Sequence, residues 1–214
     1  MKKLLLPLIL LMLSQTDVSS AQVIKSCGLK FAITSASQTF EYSNPPWSGF
    51  GPTTVRRTGF NIGAFVEWFD IPYLSAISQI EYAQRGVGEE FIITGSDPTT
   101  AGTKHVYTRL DYLSVPILAK PILPMGMVSP YLLVGPRADF LLHYQKNLPL
   151  EGFYKDFKKT AIGGTIGVGV ESSSLLPIRL SVESRYNFDI SNSFDNGFAK
   201  VRNNAFDFWL GVGF

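Results

Sequence analysis

Eleven ionisable side chains recur at alternate positions within segments that are otherwise largely apolar: Lys30, Glu67, Glu81, Arg85, Lys120, Arg137, Asp139, Glu171, Glu183, Arg185 and Asp207. In an extended chain, alternation sends neighbouring side chains to opposite faces, so these charges project one way and the Phe, Ile, Leu and Val beside them project the other. Acids and bases in similar number on one face can do two kinds of chemistry. Kept from water, they must pair and hydrogen-bond, and the result is a locked polar interior. Left hydrated, they can line a path for ions or small solutes. Arg137 and Arg185 suit the first role, because a guanidinium grips a carboxylate through two parallel bonds; Glu81, Glu183 and Asp139 are the expected partners.

Other chemistry finds less support. A hydrolase needs a nucleophile, a base and an orienting acid within mutual reach. The chain has two histidines, His105 and His143. His143 falls on the charged face near the end of its segment, where Asp207 and Glu183 are candidate companions, but no His-x-Ser pair occurs and no catalytic residue is assigned. Two histidines and the single Cys27 are too far apart for metal-ligand spacing. Gly163-Gly164-Thr165-Ile166-Gly167 lies in a strand-like segment and opens no helix, so it is a weak match to a phosphate loop. No metal and no cofactor are expected.

The elements that position the charges are eight segments of period-two character. They run over about Gly28–Thr39, Arg57–Phe69, Leu74–Arg85, Tyr107–Lys120, Val128–His143, Thr160–Glu171, Ile178–Asn187 and Ala205–Phe214. The last is the clearest: Phe206, Phe208, Leu210, Val212 and Phe214 face one way, and Asp207, Trp209, Gly211 and Gly213 the other. Connections alternate between short (Asp70–Pro72, Pro121–Met127, Ser172–Pro177) and long (Phe40–Arg56, Gly86–Val106, Tyr144–Lys159, Asp189–Asn204). Short turns at one rim and long loops at the other predict an all-β, eight-stranded antiparallel up-and-down transmembrane β-barrel. Aromatics near the ends of the apolar faces, including Trp68, Tyr82 and Tyr186, suit interfacial girdles in contact with outer-membrane lipid. Gly63, Gly167, Gly169, Gly211 and Gly213, on the charged face, suit a crowded lumen. The rival is a secreted sandwich or lipocalin-like barrel, which requires the reverse polarity.

The 214-residue chain has a formal charge of +2, too small to argue for nucleic acid. Lys2 and Lys3 precede an apolar run from Leu4 to Leu13, followed by Ser19-Ser20-Ala21. This predicts a secretory signal over residues 1–21 and a barrel over 22–214. The apolar run is too short for a membrane-spanning helix. With one cysteine there is no internal disulfide. A lipid anchor on Cys27 is disfavoured by Lys25 and by its distance from the apolar run. The expected setting is the bacterial outer membrane, with both termini periplasmic and the long loops extracellular. Trp47 and Phe50, in the Pro- and Gly-rich stretch Asn44–Gly51, form the candidate loop for a protein partner.

Tyr112-Leu113-Ser114-Val115-Pro116-Ile117-Leu118-Ala119-Lys120, followed by Pro130-Tyr131-Leu132-Leu133-Val134-Gly135-Pro136, resembles the paired signature of the PorT-type (porin-family) outer-membrane β-barrel proteins. Glu81-Tyr82-Ala83-Gln84-Arg85-Gly86 resembles the strand that precedes it. The terminal Phe214 resembles the signal read by barrel-assembly machinery. The resemblance covers the mature chain and implies fold and location. It implies little about activity, although some members are linked to protein secretion. Ser114 stands where the family pattern usually has an acid. Pro116 and Pro136 interrupt strands, and bulges are expected there.

Overall fold

Alternating Phe/Ile/Leu/Val against Gly, Ser and charged residues favours extended chain with two unlike faces. The computed structural model shows what those faces meet. It describes residues 23–42, 54–71, 73–93, 102–146, 157–172, 178–197 and 199–214. Eight long strands are β1 (Ile24–Tyr42), β3 (Arg57–Ile71), β4 (Leu74–Ile93), β5 (Gly102–Pro121), β6 (Val128–Lys146), β7 (Thr160–Ser172), β8 (Arg179–Asp189) and β10 (Ala199–Gly213). Two short ones, β2 (Thr54–Val55) and β9 (Phe194–Asp195), pair with β4 and β10. Each long strand is antiparallel to the next, and β10 returns to β1 in one register from Gly28↔Gly213 to Tyr42↔Ala199. The sheet is thus a closed barrel, which removes the free edges an open sheet would leave.

Its polarity is the inverse of a water-soluble barrel. Leu29, Ile80, Ile162, Val168 and Leu210 are each more than half exposed on the outer wall. The lumen buries Lys30, Glu67, Arg85, Arg185 and Asp207 to 4% exposure or less. This arrangement overturns the sandwich or lipocalin-like alternative. Burying those ions while exposing aliphatics is unfavourable in water and suits a wall that faces lipid.

The strands reach further than the alternation does. β4 runs to Ile93 and β5 begins at Gly102, so most of the stretch read as the loop Gly86–Val106 is hairpin, paired to Ile93↔Gly102. β1, β6 and β10 are extended in the same direction. In β4, Gly86, Gly88, Glu89 and Glu90 break the alternation beyond the apolar band, but backbone pairing needs no apolar face. The expected bulges at Pro116 and Pro136 are absent: the register holds through Pro116↔Arg137 and Pro136↔Gly164. A proline lacks one donor, and losing one ladder bond does not oblige the strand to slip. The β5–β6 register shifts instead between Asp111 and Tyr112.

Candidate functional site

All eleven charged residues singled out by the alternation lie in the lumen, none more than 8% exposed. At the rim of short turns, Lys120 Nζ is shared between Glu67 (3.0 Å) and Glu171 (2.5 Å). Glu67 also meets Lys25 at 3.1 Å and accepts from Ser75 Oγ at 2.7 Å. One level deeper, Glu183 accepts from Lys30 Nζ at 2.5 Å, from the Tyr131 hydroxyl at 2.7 Å and from Arg185 Nε at 2.7 Å, with Arg185 Nη2 completing a two-pronged grip. Arg185 Nη1 reaches Gln79 (2.7 Å) and Glu81 (3.2 Å). Lys30 pairs with Glu183 at this deeper level and not with Glu67 or Glu171 nearer the rim.

Rings roof these cations. Lys30 lies 4.6 Å from the Phe65 ring, Lys120 4.5 Å from Tyr131, and the Arg185 guanidinium 5.0 Å from Trp209. Such contacts stabilise a cation that has lost water. Glycines make the room. A Cβ at Gly211 would stand 3.0 Å from Lys30 Cγ, one at Gly167 3.0 Å from Arg185 Cγ, and one at Gly169 2.5 Å from the Tyr131 ring. Phe65, Ile77, Leu118, Ile122, Tyr131 and Leu133 pack between and below the ions. A cavity of about 10 Å³ beside Lys30, Glu67, Lys120 and Glu171 has room for about one water.

Further up, the arrangement changes. Asp207 accepts from Thr34 Oγ1 (2.5 Å), Asn61 Nδ2 (2.9 Å) and Asn187 Nδ2 (2.7 Å). Arg85 stands only 3.5 Å from it through Nη1, and its Nε and Nη2 are buried without a partner. Arg137 holds Asp139 through Nε (2.9 Å) and Asp189 through Nη2 (2.6 Å). Asp189 is also bound by Ser193 Oγ and Asn203 Nδ2. Leu110, Tyr112, Phe157, Phe194 and Val201 form a second buried apolar cluster, near the long hairpins.

Asp189 is the functional residue that sequence reading missed. It opens the stretch Asp189–Asn204 expected as a loop, yet β8 runs through it and it continues the parity of Glu183, Arg185 and Asn187, which is the signal the sequence offers. Asn61, Asn187 and Thr34 were missed because neutral polar residues do not stand out in a composition pattern. His143 is exposed at the rim opposite Asp111, whereas Glu183 and Asp207 are engaged inside the lumen, so the structure does not bring these three together. His105 lies within β5 opposite Glu90, not in a loop. Ser114 is fully buried opposite Asp139, its hydroxyl without a partner. Cys27 is a free thiol in β1 whose backbone pairs with that of Phe214. Trp47, Phe50 and residues 1–21 lie outside the described residues.

Comparison with known proteins gives a consistent picture. The family model described as "Outer membrane protein beta-barrel domain" matches residues 21–195. No curated protein matches the chain. Among solved structures, the outer membrane protein OprG from Pseudomonas aeruginosa is similar at 10% identity, covering 92% of this chain and 98% of that one, with a TM-score of 0.51. The outer membrane protease OmpT from Escherichia coli is similar at 12% identity, covering 94% and 99%, with a TM-score of 0.51. Neisserial surface protein A is similar at 19% identity, covering 88% and 96%, with a TM-score of 0.49. At such identities the likeness is one of fold.

Proposed function

The chain belongs to the outer-membrane protein β-barrel domain family, and from that premise we propose that it is a structural or interaction component of the bacterial cell envelope whose lumen is a closed, charge-paired plug. The observation that carries this reading is two stacked groups of buried ion pairs, Lys120 with Glu67 and Glu171 and, deeper, Lys30, Glu183, Arg185 and Glu81, with Tyr131 touching both and an apolar cluster around Phe194 beyond them. An eight-stranded barrel is only wide enough for side chains to fill it. In this reading both termini and the short turns face the periplasm, the long β4–β5 hairpin and its neighbours face outward, and residues 1–21 are removed on export. The strand ending at Phe214 is what the assembly machinery reads. The resemblance to PorT-type barrels supports a finer assignment, a part in protein secretion beside other envelope proteins, with the loop around Trp47 and Phe50 as contact.

The second reading is a narrow gated channel, favoured by one observation: the Arg85 guanidinium is buried with two nitrogens unpartnered, a loose point in the plug. Planar-bilayer conductance of the purified chain separates the two. The plug predicts a silent bilayer; steady, ion-selective opening would sink it and establish the channel.

A further inference from the structure

The short turns joining β3 to β4 and β5 to β6 form one surface. Ile122 donates its N–H to the Tyr73 carbonyl at 3.0 Å, and Leu74 pairs with Pro121. The β5–β6 turn is also tied to itself: the Leu123 N–H bonds to the Pro130 carbonyl at 2.9 Å, and Met125 bridges to Val128. What this ordered surface displays is apolar. Ile71, Tyr73, Leu123, Met125 and Met127 are each 51–68% exposed. Residues Pro121–Met127 include no ionisable side chain, and Asp70 is the one acid of the β3–β4 turn. Phe69 adds a ring through a strained backbone. By alternation with Glu67 it would point into the lumen; its φ of 63°, at the register shift between Trp68 and Ile71, breaks that alternation and leaves it 52% exposed at the rim. A bulky residue seldom holds a left-handed backbone, and such outliers gather where a surface has a task.

The opposite rim is built the other way. There the surface carries exposed Arg56, Lys158, Lys159 and Lys200 and the ion pair of Glu41 with Arg202. A contiguous apolar patch marks a surface that something covers, and the surroundings of the turns identify the cover. The patch runs into the lipid-facing wall without a polar border: the residues between them on the outer face are Leu74, Ala76, Ala119, Pro121, Val128 and Pro130. A groove of about 740 Å³ joins the two, with Leu123 on the turn side and Leu132, Val170, Val182 and Phe208 on the wall. A protein interface has a polar rim around its apolar centre. An apolar surface continuous with the wall fits instead the acyl chains that cover the wall.

We propose that the two joined turns are a lipid anchor: they lie among the acyl chains of the nearer leaflet and do not project into water. The anchor rests on the lipid-facing wall, and it holds whether the lumen is a plug or a channel.

The test is nitroxide labelling of the chain folded in phosphatidylcholine vesicles, with Cys27→Ser removing the native thiol. Labels at Met125→Cys and Met127→Cys are compared with Leu132→Cys on the wall and Lys200→Cys on the opposite rim. Folding of each variant is read from the electrophoretic shift of the unboiled barrel. Collisions with a water-soluble nickel chelate should fall roughly tenfold at the turn relative to Lys200→Cys, a modest partition for a polar solute between water and hydrocarbon. Collisions with oxygen should rise there, as at Leu132→Cys. Turn labels as open to the chelate as Lys200→Cys, beside a shielded Leu132→Cys, overturn the anchor and leave the wall standing. A Leu132→Cys label open to the chelate overturns both. Shielding of the turn that vanishes as the protein is diluted in lipid assigns the surface to a second copy of the chain and overturns the lipid assignment.

Discussion

The two halves of the lumen use the same ions differently. Toward the short-turn rim the carboxylates are all glutamates (Glu67, Glu81, Glu171, Glu183), and each lies within 3.2 Å of a Lys or Arg nitrogen. Toward the long hairpins they are all aspartates (Asp139, Asp189, Asp207): Arg137 holds the first two at 2.9 and 2.6 Å, whereas Asp207 has only Arg85 at 3.5 Å, and Arg85 keeps two nitrogens without a partner. The extra methylene of glutamate, set opposite glycines that clear space, lets an anion on one strand reach a cation across the barrel. Asp207, with its shorter side chain, is instead satisfied by the neighbouring Asn61, Asn187 and Thr34. Reach, more than charge count, separates the tightly held Glu183 from the loosely paired Asp207.

Removing one partner from each half is the most direct way to break this contrast. Lys120→Met leaves Glu67 and Glu171 buried without their shared cation. Lys25 still reaches Glu67, but Glu171 has no other ion pair among the described residues. The expected loss is about 3–5 kcal/mol, the range for breaking a buried pair, read by urea unfolding of the barrel refolded in lipid vesicles. Arg85→Met should lose less, about 1–2 kcal/mol, because Asp207 keeps three neutral donors. Equal losses at the two positions would abolish the distinction between the halves. The smallest effect belongs to the loop that follows Phe194. Asp195 accepts the Gly197 N–H at 3.1 Å, and that bond holds its carboxyl below the ordinary aspartate value. A depressed value means the bond protects the amide at neutral pH and fails as the pH falls below about 3.9. Hydrogen exchange at Gly197 should therefore accelerate only in acid, relative to base rates for an open amide, and Asp195→Ala should erase that dependence.

Much of the barrel is legible in the chain itself. The lumen face of β10 reads directly from Asp207, Trp209 and Gly211, and the outer face from Phe206, Phe208 and Leu210, because side chains in a strand alternate whatever lies beside them. Legibility fails where that signal has no contrast. Past Arg85, Gly86, Gly88, Glu89 and Glu90 interrupt the apolar alternation before Phe91, so the strand reads as loop; Ser191, Asn192 and Ser193 have the same effect beyond Asp189. The break between β3 and β4 is hidden for another reason: β3 stays paired with β1 to Arg57, while its ladder with β4 stops at Asn61 and resumes in β2 at Val55, and one strand's sequence carries no record of that.

Sequence alone determined the period, the inverted polarity and which residues share the interior, since these depend only on local backbone geometry and on the contrast between greasy and ionic side chains. The partners were decided by tertiary structure. Lys30 meets Glu183 across 153 residues of chain, because closing β10 onto β1 fixes the stagger of every strand between them, and that stagger sets which charges stand at the same height.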